Sequence, residues 1–210
     1  MLIESEIDLV TLDAQAVRVS VDLVARASEA DLARRTPCAE WTLSDLLAHL
    51  VGQHYGFAAA ATGDRDLARW RPRPLGEDPA LTYRTAADHV LAAFAADGVL
   101  DREFALPEFS RGPVFPARQA ISFHLVDYVV HSWDVARTLG LPVHFEPDVL
   151  DVALRVARAV PDGDARSGPR AAFAPGVEWP GGSPLDRIVA LLGRSPDWSR
   201  PQGHPDPAVR

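Results

Sequence analysis

The sequence predicts an all-α fold, a four-helix bundle with short additional C-terminal helices and a turn-rich strap. Four long segments carry apolar side chains at helical spacing, which is typical of amphipathic helices. Stretches rich in proline and glycine separate these segments and mark the connectors. Apolar residues make up 47% of the 210 residues, which is enough to build a core. These observations favour a bundle in which each helix buries a face against its neighbours.

The first two helices are predicted from periodicity and capping signals. Residues 4–30 carry valine residues at helical spacing with charged residues between them, which indicates one long helix. The second helix begins at Thr42, and Asp45 three residues later completes a reciprocal capping pattern. Its apolar stripe continues towards Gly63, a residue type that commonly ends helices.

The later elements follow from the same signals. A third helix is predicted over 82–96, and a fourth runs from the end of a connector at 98–116 to Leu139. Shorter helices are predicted over 147–160 and 184–194, and the turn-rich residues 161–184 between them are expected to form an extended strap. We expect residues 1–195 to form a single domain and residues 196–210 to form a loose tail.

Charge and hydropathy exclude several classes of function. The formal net charge of −8 argues against a protein that coats nucleic acid or an anionic membrane, because both need a positive surface. No run of about 18 apolar residues is present to cross a bilayer. The first ten residues, MLIESEIDLV, lack the basic and apolar regions of a signal peptide, so we expect a cytoplasmic protein.

The lack of lysine and the presence of a single cysteine exclude several catalytic mechanisms and metal sites. The sequence contains no lysine, which excludes Schiff-base catalysis and a P-loop lysine. Cys38 is the only cysteine, so neither an intramolecular disulfide nor a zinc site with several thiolates can form.

The fourth predicted helix carries a row of polar side chains on an otherwise apolar surface. His124, Asp127, His131 and Asp134 are spaced three, four and three residues apart, so they share one stripe. Burying such groups costs several kcal/mol unless each is hydrogen-bonded, paired or bound to a metal. The i, i+4 spacing of Asp127 and His131 lets both side chains reach the same ion.

A third ligand would have to come from another helix, and His49 is the best candidate. Small residues, Gly52, Gly56 and Ala60, continue its stripe and leave room for a close helix approach or a substrate cavity. Asp45, one turn earlier, is an alternative partner that could orient the His49 ring.

A structural role competes with each of these assignments. A buried His–Asp pair on a helix is more often a hydrogen-bonded core pair than a metal site, and spacing alone does not separate the two. The remaining candidate side chains are expected to be structural: half-exposed helix residues (His54 and His89), loop residues (His144 and His204), a small packed residue (Cys38) and a core or pocket-wall residue (Trp133).

Two segments of the sequence resemble a known family. TPCAEWTLSDLLAHLVG (36–52) and VVHSWDVARTLG (129–140) are similar to the signatures of the DinB-like metal-binding superfamily, in its branch of mycothiol-dependent maleylpyruvate isomerase. The segment GRSPDW (193–198) resembles the ending of single-domain members.

The resemblance implies a four-helix bundle that binds one divalent metal ion, zinc or nickel. The family's metal ligands match His49, Asp127 and His131, although the isomerase carries glutamate where this sequence has the shorter Asp127. The chain is also expected to lack an extra C-terminal domain of the isomerase.

Three functions remain open at this point. The leading one is an enzyme in which the metal activates mycothiol or a similar thiol for attack on a small electrophile, giving S-transfer or cis–trans isomerisation. His124 or Asp134 would then relay protons or orient the ligands. The alternatives are a non-catalytic metal-binding or stress-related protein and a metal-free helical interaction module. The protein is expected to be a monomer or homodimer.

Overall fold

The computed structural model describes residues 8–38, 41–108, 114–162, 166 and 173–199, and helices dominate these ranges. Within these ranges there are six α-helices: α1 (Leu9–Val24), α2 (Leu43–Ala61), α3 (Pro79–Phe94), α4 (Ala117–Leu139), α5 (Pro147–Ala159) and α6 (Pro184–Leu191). Three 3₁₀ turns lie in the connectors: Glu29–Asp31, Leu67–Trp70 and Val99–Asp101. The predicted all-α fold class is confirmed.

Capping explains where several helices begin. The Thr42 backbone N–H donates to Asp45 Oδ2 (3.0 Å) and the Asp45 N–H donates to Thr42 Oγ1 (3.2 Å), which confirms the predicted capping pattern of α2. Helix α3 starts three residues before its prediction, because Asp78 caps it and Pro79 occupies its first turn.

Other predictions about the elements were also wrong, and helix α6 ends at Leu191 rather than residue 194. The first helix ends at Val24 rather than residue 30, and a separate 3₁₀ turn follows at Glu29–Asp31. The connector at 98–116 contains a small antiparallel hairpin, β1 (Glu103–Ala105) with β2 (Val114–Pro116). Residues 4–7 lie outside the described part of the chain.

Helices α1 to α4 enclose the core, and α4 is buried on nearly every side. Helix α1 packs mainly against α4, whereas α2 packs mainly against α3. Helices α2 and α4 run antiparallel, since the rings of His49 and His131 are 5.7 Å apart while His54 lies opposite His124, at 5.4 Å. This arrangement brings the polar stripe of α4 next to the histidines of α2.

The small residues on α2 accommodate a connector rather than a helix or a cavity. A Cβ atom on Gly52 would lie 2.6 Å from the Arg71 carbonyl oxygen, and one on Gly56 would lie 2.3 Å from the Trp70 ring. The turn Leu67–Trp70 therefore crosses α2 at van der Waals distance only because both positions lack a side chain.

The C-terminal segment returns to the bundle. Arg137 of α4 donates to the carbonyl oxygens of Pro196 (2.9 Å) and Trp198 (2.7 Å), which holds the start of the predicted tail against α4. Residues 200–210 of that tail and residues 163–165 and 167–172 of the predicted strap lie outside the described residues. No helix in the described ranges is long and apolar enough to cross a membrane.

Candidate metal centre

The structure brings His49, Asp127 and His131 together between α2 and α4. One potential ligand atom from each residue lies within 4.8 Å of the other two. His131 Nε2 and Asp127 Oδ1 are 3.4 Å apart, and the His49 ring faces the edge of the His131 ring. Trp41, at the entrance to α2, lies against His49 with ring centroids 4.8 Å apart.

The donor set and its spacing suit a divalent transition metal. Two imidazole nitrogens and one carboxylate oxygen are common ligands of zinc and nickel. Zinc–ligand distances of about 2.0–2.2 Å in a tetrahedron place neighbouring donors roughly 3.4 Å apart. The Nε2–Oδ1 separation of 3.4 Å already has this value.

Asp134 determines which nitrogen of His131 faces this group. His131 Nδ1 lies 2.9 Å from Asp134 Oδ2, and a carboxylate can only accept a hydrogen bond, so Nδ1 carries the proton. Nε2 is consequently the nitrogen that points towards Asp127. Carboxylate–histidine pairs of this kind orient metal-binding imidazoles in many proteins.

Arg194 completes the arrangement from the C-terminal side. Its Nη2 donates to Asp134 Oδ2 (3.0 Å) and its Nε lies 3.4 Å from Asp134 Oδ1, while both side chains are buried. Sequence spacing did not identify Arg194 as part of the centre. The available signal was its place in GRSPDW, but spacing alone cannot show that a segment 60 residues later meets α4.

Charges in the group are balanced in the metal-free protein. Burial opposes ionisation of His131, but the charges and hydrogen bonds of Asp127 and Asp134 outweigh it and raise the pKa of His131 to about 9. Burial, reinforced by the charge of His131, lowers the pKa of His49 to about 4. Although burial raises the pKa of Asp127, His131 outweighs this effect and holds that pKa below its usual value. At neutral pH a proton therefore lies between His131 and Asp127, where a cation would replace it.

A second group shares His131 but suits a cation less well. Donor atoms of Cys38, His131 and Asp134 also lie within 4.8 Å of one another. Burial raises the pKa of Cys38 to about 12, so its thiol stays protonated at neutral pH. Arg194 Nη2 lies 3.6 Å from Cys38 Sγ, which places a guanidinium charge where the ion would sit. The half-buried Cys38 is therefore a contact of Arg194 rather than a favourable metal ligand.

His124 and His54 form a separate network in the core. His124 Nδ1 lies 2.7 Å from Asp13 Oδ1, and its Nε2 lies 3.3 Å from His54 Nδ1. All three side chains are fully buried, and the His54 ring stacks on Tyr128 at 4.2 Å. The prediction of a half-exposed His54 was wrong, because α3 and α4 cover that part of α2.

The other residues considered from the sequence lie outside the candidate metal centre. Asp45 is exposed and bonded to Thr42, so the prediction that it orients His49 was wrong. Trp133 is buried on α4, as predicted. His89 is exposed rather than half-exposed, His144 is an exposed loop residue as predicted, and His204 lies outside the described residues.

A further polar pair lies one turn beyond His49 on α2. The Gln53 side-chain amide donates to Glu108 Oε2 (2.7 Å), and Gln53 is buried. Burial and, to a smaller extent, the negative charge of Asp127 raise the pKa of Glu108. Sequence spacing did not reveal this pair because Glu108 lies in the connector after β1.

Comparisons with known proteins agree with this architecture. The family model described as the mycothiol maleylpyruvate isomerase N-terminal domain matches residues 14–136. An uncharacterized protein of Mycobacterium tuberculosis, found in strains H37Rv and CDC 1551, is 33% identical over 180 residues, which cover 82% of this chain and 90% of that protein.

Solved structures share the fold at low sequence identity. The crystal structure of the mycothiol-dependent maleylpyruvate isomerase is 17% identical with a TM-score of 0.58, covering 90% of this chain and 89% of that one. A histidine-to-alanine mutant of that isomerase gives 14% identity and a TM-score of 0.55, covering 91% and 81%. On the family match and the mycobacterial relative, the chain belongs to the mycothiol maleylpyruvate isomerase N-terminal domain family.

Proposed function

We propose that this chain is a cytoplasmic enzyme that holds one divalent metal ion, zinc or nickel, with His49, Asp127 and His131. It would use mycothiol or a similar thiol to act on a small electrophile. The observation that carries this proposal is the convergence of three donor atoms from two helices within 4.8 Å, with Asp134 orienting His131. Membership of the mycothiol maleylpyruvate isomerase N-terminal domain family supports the proposed thiol dependence.

In this proposal the residues of the chain would bind the metal ion and leave space beside it for the thiol and the substrate. Three protein ligands leave further coordination positions open, which is the arrangement of catalytic rather than structural metal sites. A divalent ion held there would act as a Lewis acid and would lower the pKa of a thiol or water bound to it. The Asp127 side chain is 19% exposed, so the site opens to solvent on that side, and Trp41 forms a wall beside His49.

Thiol attack on an activated double bond accounts for both proposed reactions. If the adduct is retained and the thiol proton moves to the neighbouring carbon of the former double bond, the result is S-transfer. If the bond rotates and the thiol then leaves, the result is cis–trans isomerisation, and the thiol is regenerated. Because neither outcome requires an oxidant or a nucleotide, the site needs only the metal and the thiol.

An assay with mycothiol and maleylpyruvate, followed by a panel of small electrophiles, tests the proposal. We expect turnover only when thiol and metal are both present, and we expect His49→Ala to abolish it. Metal-loaded protein that shows no thiol-dependent turnover with any of these substrates would contradict the enzymatic proposal and favour the non-catalytic metal-binding alternative.

A further inference from the structure

Arg194 is a buried arginine that the chain places next to the candidate metal centre. Its residue exposure is 5%, although arginine is rarely buried without a specific partner. Gly193, just before it, has a φ of 83°, and a Cβ there would lie 2.7 Å from the Ala174 backbone. The left-handed turn at this glycine directs Arg194 towards the bundle after the end of α6.

The guanidinium holds one carboxylate by two contacts. Nη2 and Nε of Arg194 approach Asp134 Oδ2 and Oδ1 at 3.0 and 3.4 Å. Nη1 donates to the Leu192 carbonyl oxygen at 2.9 Å, which fixes the guanidinium itself. A planar guanidinium that binds both oxygens sets the plane of a carboxylate, which a lysine ammonium does not do.

The same carboxylate oxygen meets His131. Asp134 Oδ2 accepts from Arg194 Nη2 and from His131 Nδ1, the latter at 2.9 Å. The backbone carbonyl of Asp134 accepts from Thr138 Oγ1 (2.8 Å), an additional restraint on this turn of α4. The described hydrogen bonds and ion pair of Arg194 do not include His49 or Asp127, so its hydrogen-bonded link to the centre runs through Asp134 and His131. Its positive charge also acts on His49 directly and helps to lower the pKa of that ring.

We propose that Arg194 is a positioning residue of the metal site, which acts through Asp134 to hold His131 Nε2 towards His49 and Asp127. This inference rests on the proposed function, because it requires His131 to bind the metal. Arg194 lies beyond the residues matched by the family model, which end at residue 136. The C-terminal segment would therefore complete a site whose ligands all come from the matched region.

If Arg194 had a purely structural role, its removal would weaken the fold but not the zinc affinity of the folded protein. Arg166 is the control for such a structural role. Arg166 is similarly buried, at 7% exposure, and donates to the carbonyl oxygens of Pro161 (2.8 Å) and Val160 (2.9 Å). It ties the C-terminal segment to the end of α5 without touching Asp134. Arg166→Met should therefore weaken the fold without changing the zinc affinity of the folded protein.

Zinc titration by calorimetry into metal-free variants tests the proposal. We expect Arg194→Met to weaken zinc binding roughly 10–100-fold, the loss typical of removing a group that orders a ligand. Arg194→Lys should lose less. In a double-mutant cycle, Asp134→Asn with Arg194→Met should bind zinc no more weakly than Asp134→Asn alone, because one residue acts through the other.

The proposal would be overturned if folded Arg194→Met bound zinc as tightly as the wild type. It would also be overturned if the double variant lost zinc affinity by the product of the two single losses. If Arg194→Met does not fold, the zinc affinity of Arg194→Lys tests the proposal instead. Weaker zinc binding by Arg194→Lys supports the proposal, and wild-type zinc affinity overturns it. Wild-type protein that binds zinc without thiol-dependent turnover overturns only the proposed reaction. Wild-type protein that binds neither zinc nor nickel overturns the metal site and this proposal together.

Discussion

His131 is the residue on which the candidate centre depends, because each of its ring nitrogens faces a carboxylate. Nδ1 is bonded to Asp134 and Nε2 lies 3.4 Å from Asp127. Two negative neighbours make the ring hold a proton far more tightly than an isolated imidazole. The same field that holds the proton would hold a divalent cation, so metal and proton compete for Nε2.

This competition predicts a pH dependence of metal binding. The pKa of His131 is raised to about 9, so a metal that binds below that pH must displace its proton. The apparent zinc affinity should rise about tenfold per pH unit between about pH 6.5 and 8.5 and level off above about pH 9. Calorimetry in buffers of different ionisation enthalpy should count one proton released per zinc ion. Binding without proton release at neutral pH would contradict the assignment of His131.

Changing His49 to alanine should remove the only ligand from α2. Asp127 and His131 would remain as a two-point site on α4, and zinc affinity should fall by more than the roughly 100-fold typical of losing an orienting partner. His89→Ala is the control, because His89 is exposed on α3. Zinc affinity equal to wild type in a folded His49→Ala protein would show that His49 is not a ligand.

His124 is an unsuitable control for that experiment. It is bonded to Asp13 and lies beside His54 in the core, so removing it would leave the Asp13 carboxylate buried without its partner. Leaving a buried polar group without its hydrogen-bond partner costs about 1–3 kcal/mol, so a loss of stability could be mistaken for a loss of metal binding. Its location also argues against a metal triad of His49, His124 and His131.

At the scale of elements, helical periodicity predicted that Asp127 and His131 lie side by side on α4, but it did not predict their surroundings. The i, i+4 spacing of Asp127 and His131 places both on one face of any helix, so the sequence was sufficient there. The pairing of His124 with Asp13 spans 111 positions, and only the packing of α1 on α4 creates it. The hairpin of β1 and β2 was missed because its strands have only three residues each.

The close contact between α2 and the Leu67–Trp70 turn makes a prediction about packing. Gly56→Ala should destabilise the fold by about 1–3 kcal/mol, because the new methyl group would overlap the Trp70 ring. Gly181→Ala is the control, since a Cβ there meets nothing within 4 Å, and its effect should be small. Urea unfolding of the two variants compares them. Equal stabilities would contradict the described packing of Trp70 on α2.

At the scale of the whole molecule, the candidate metal centre is a small group of charged side chains beside a large apolar core. The core draws on all four bundle helices and is extensive without the candidate site. Composition and periodicity predicted this architecture, because burying apolar stripes leaves few alternatives to a bundle. The contribution of Arg194 could not be predicted, since it depends on where the segment after α6 returns to α4.

Metal should accordingly stabilise the fold without being required for it. Free zinc at about 100 times its Kd should add roughly 2.7 kcal/mol to the free energy of unfolding. Circular dichroism of chelator-treated protein should still show a helical spectrum and a cooperative transition. An unfolded metal-free protein would mean that the ion, rather than the core, determines folding, as in zinc fingers.

The central claim is that one ion lies between α2 and α4, and an anomalous-difference map of zinc-loaded crystals tests it most directly. Data collected above and below the zinc absorption edge identify the element and its position independently of activity. The account predicts one peak, about 2.0–2.2 Å from a nitrogen of His49, an oxygen of Asp127 and Nε2 of His131. A peak between Cys38 and Asp134, or no zinc peak near His131, would contradict it.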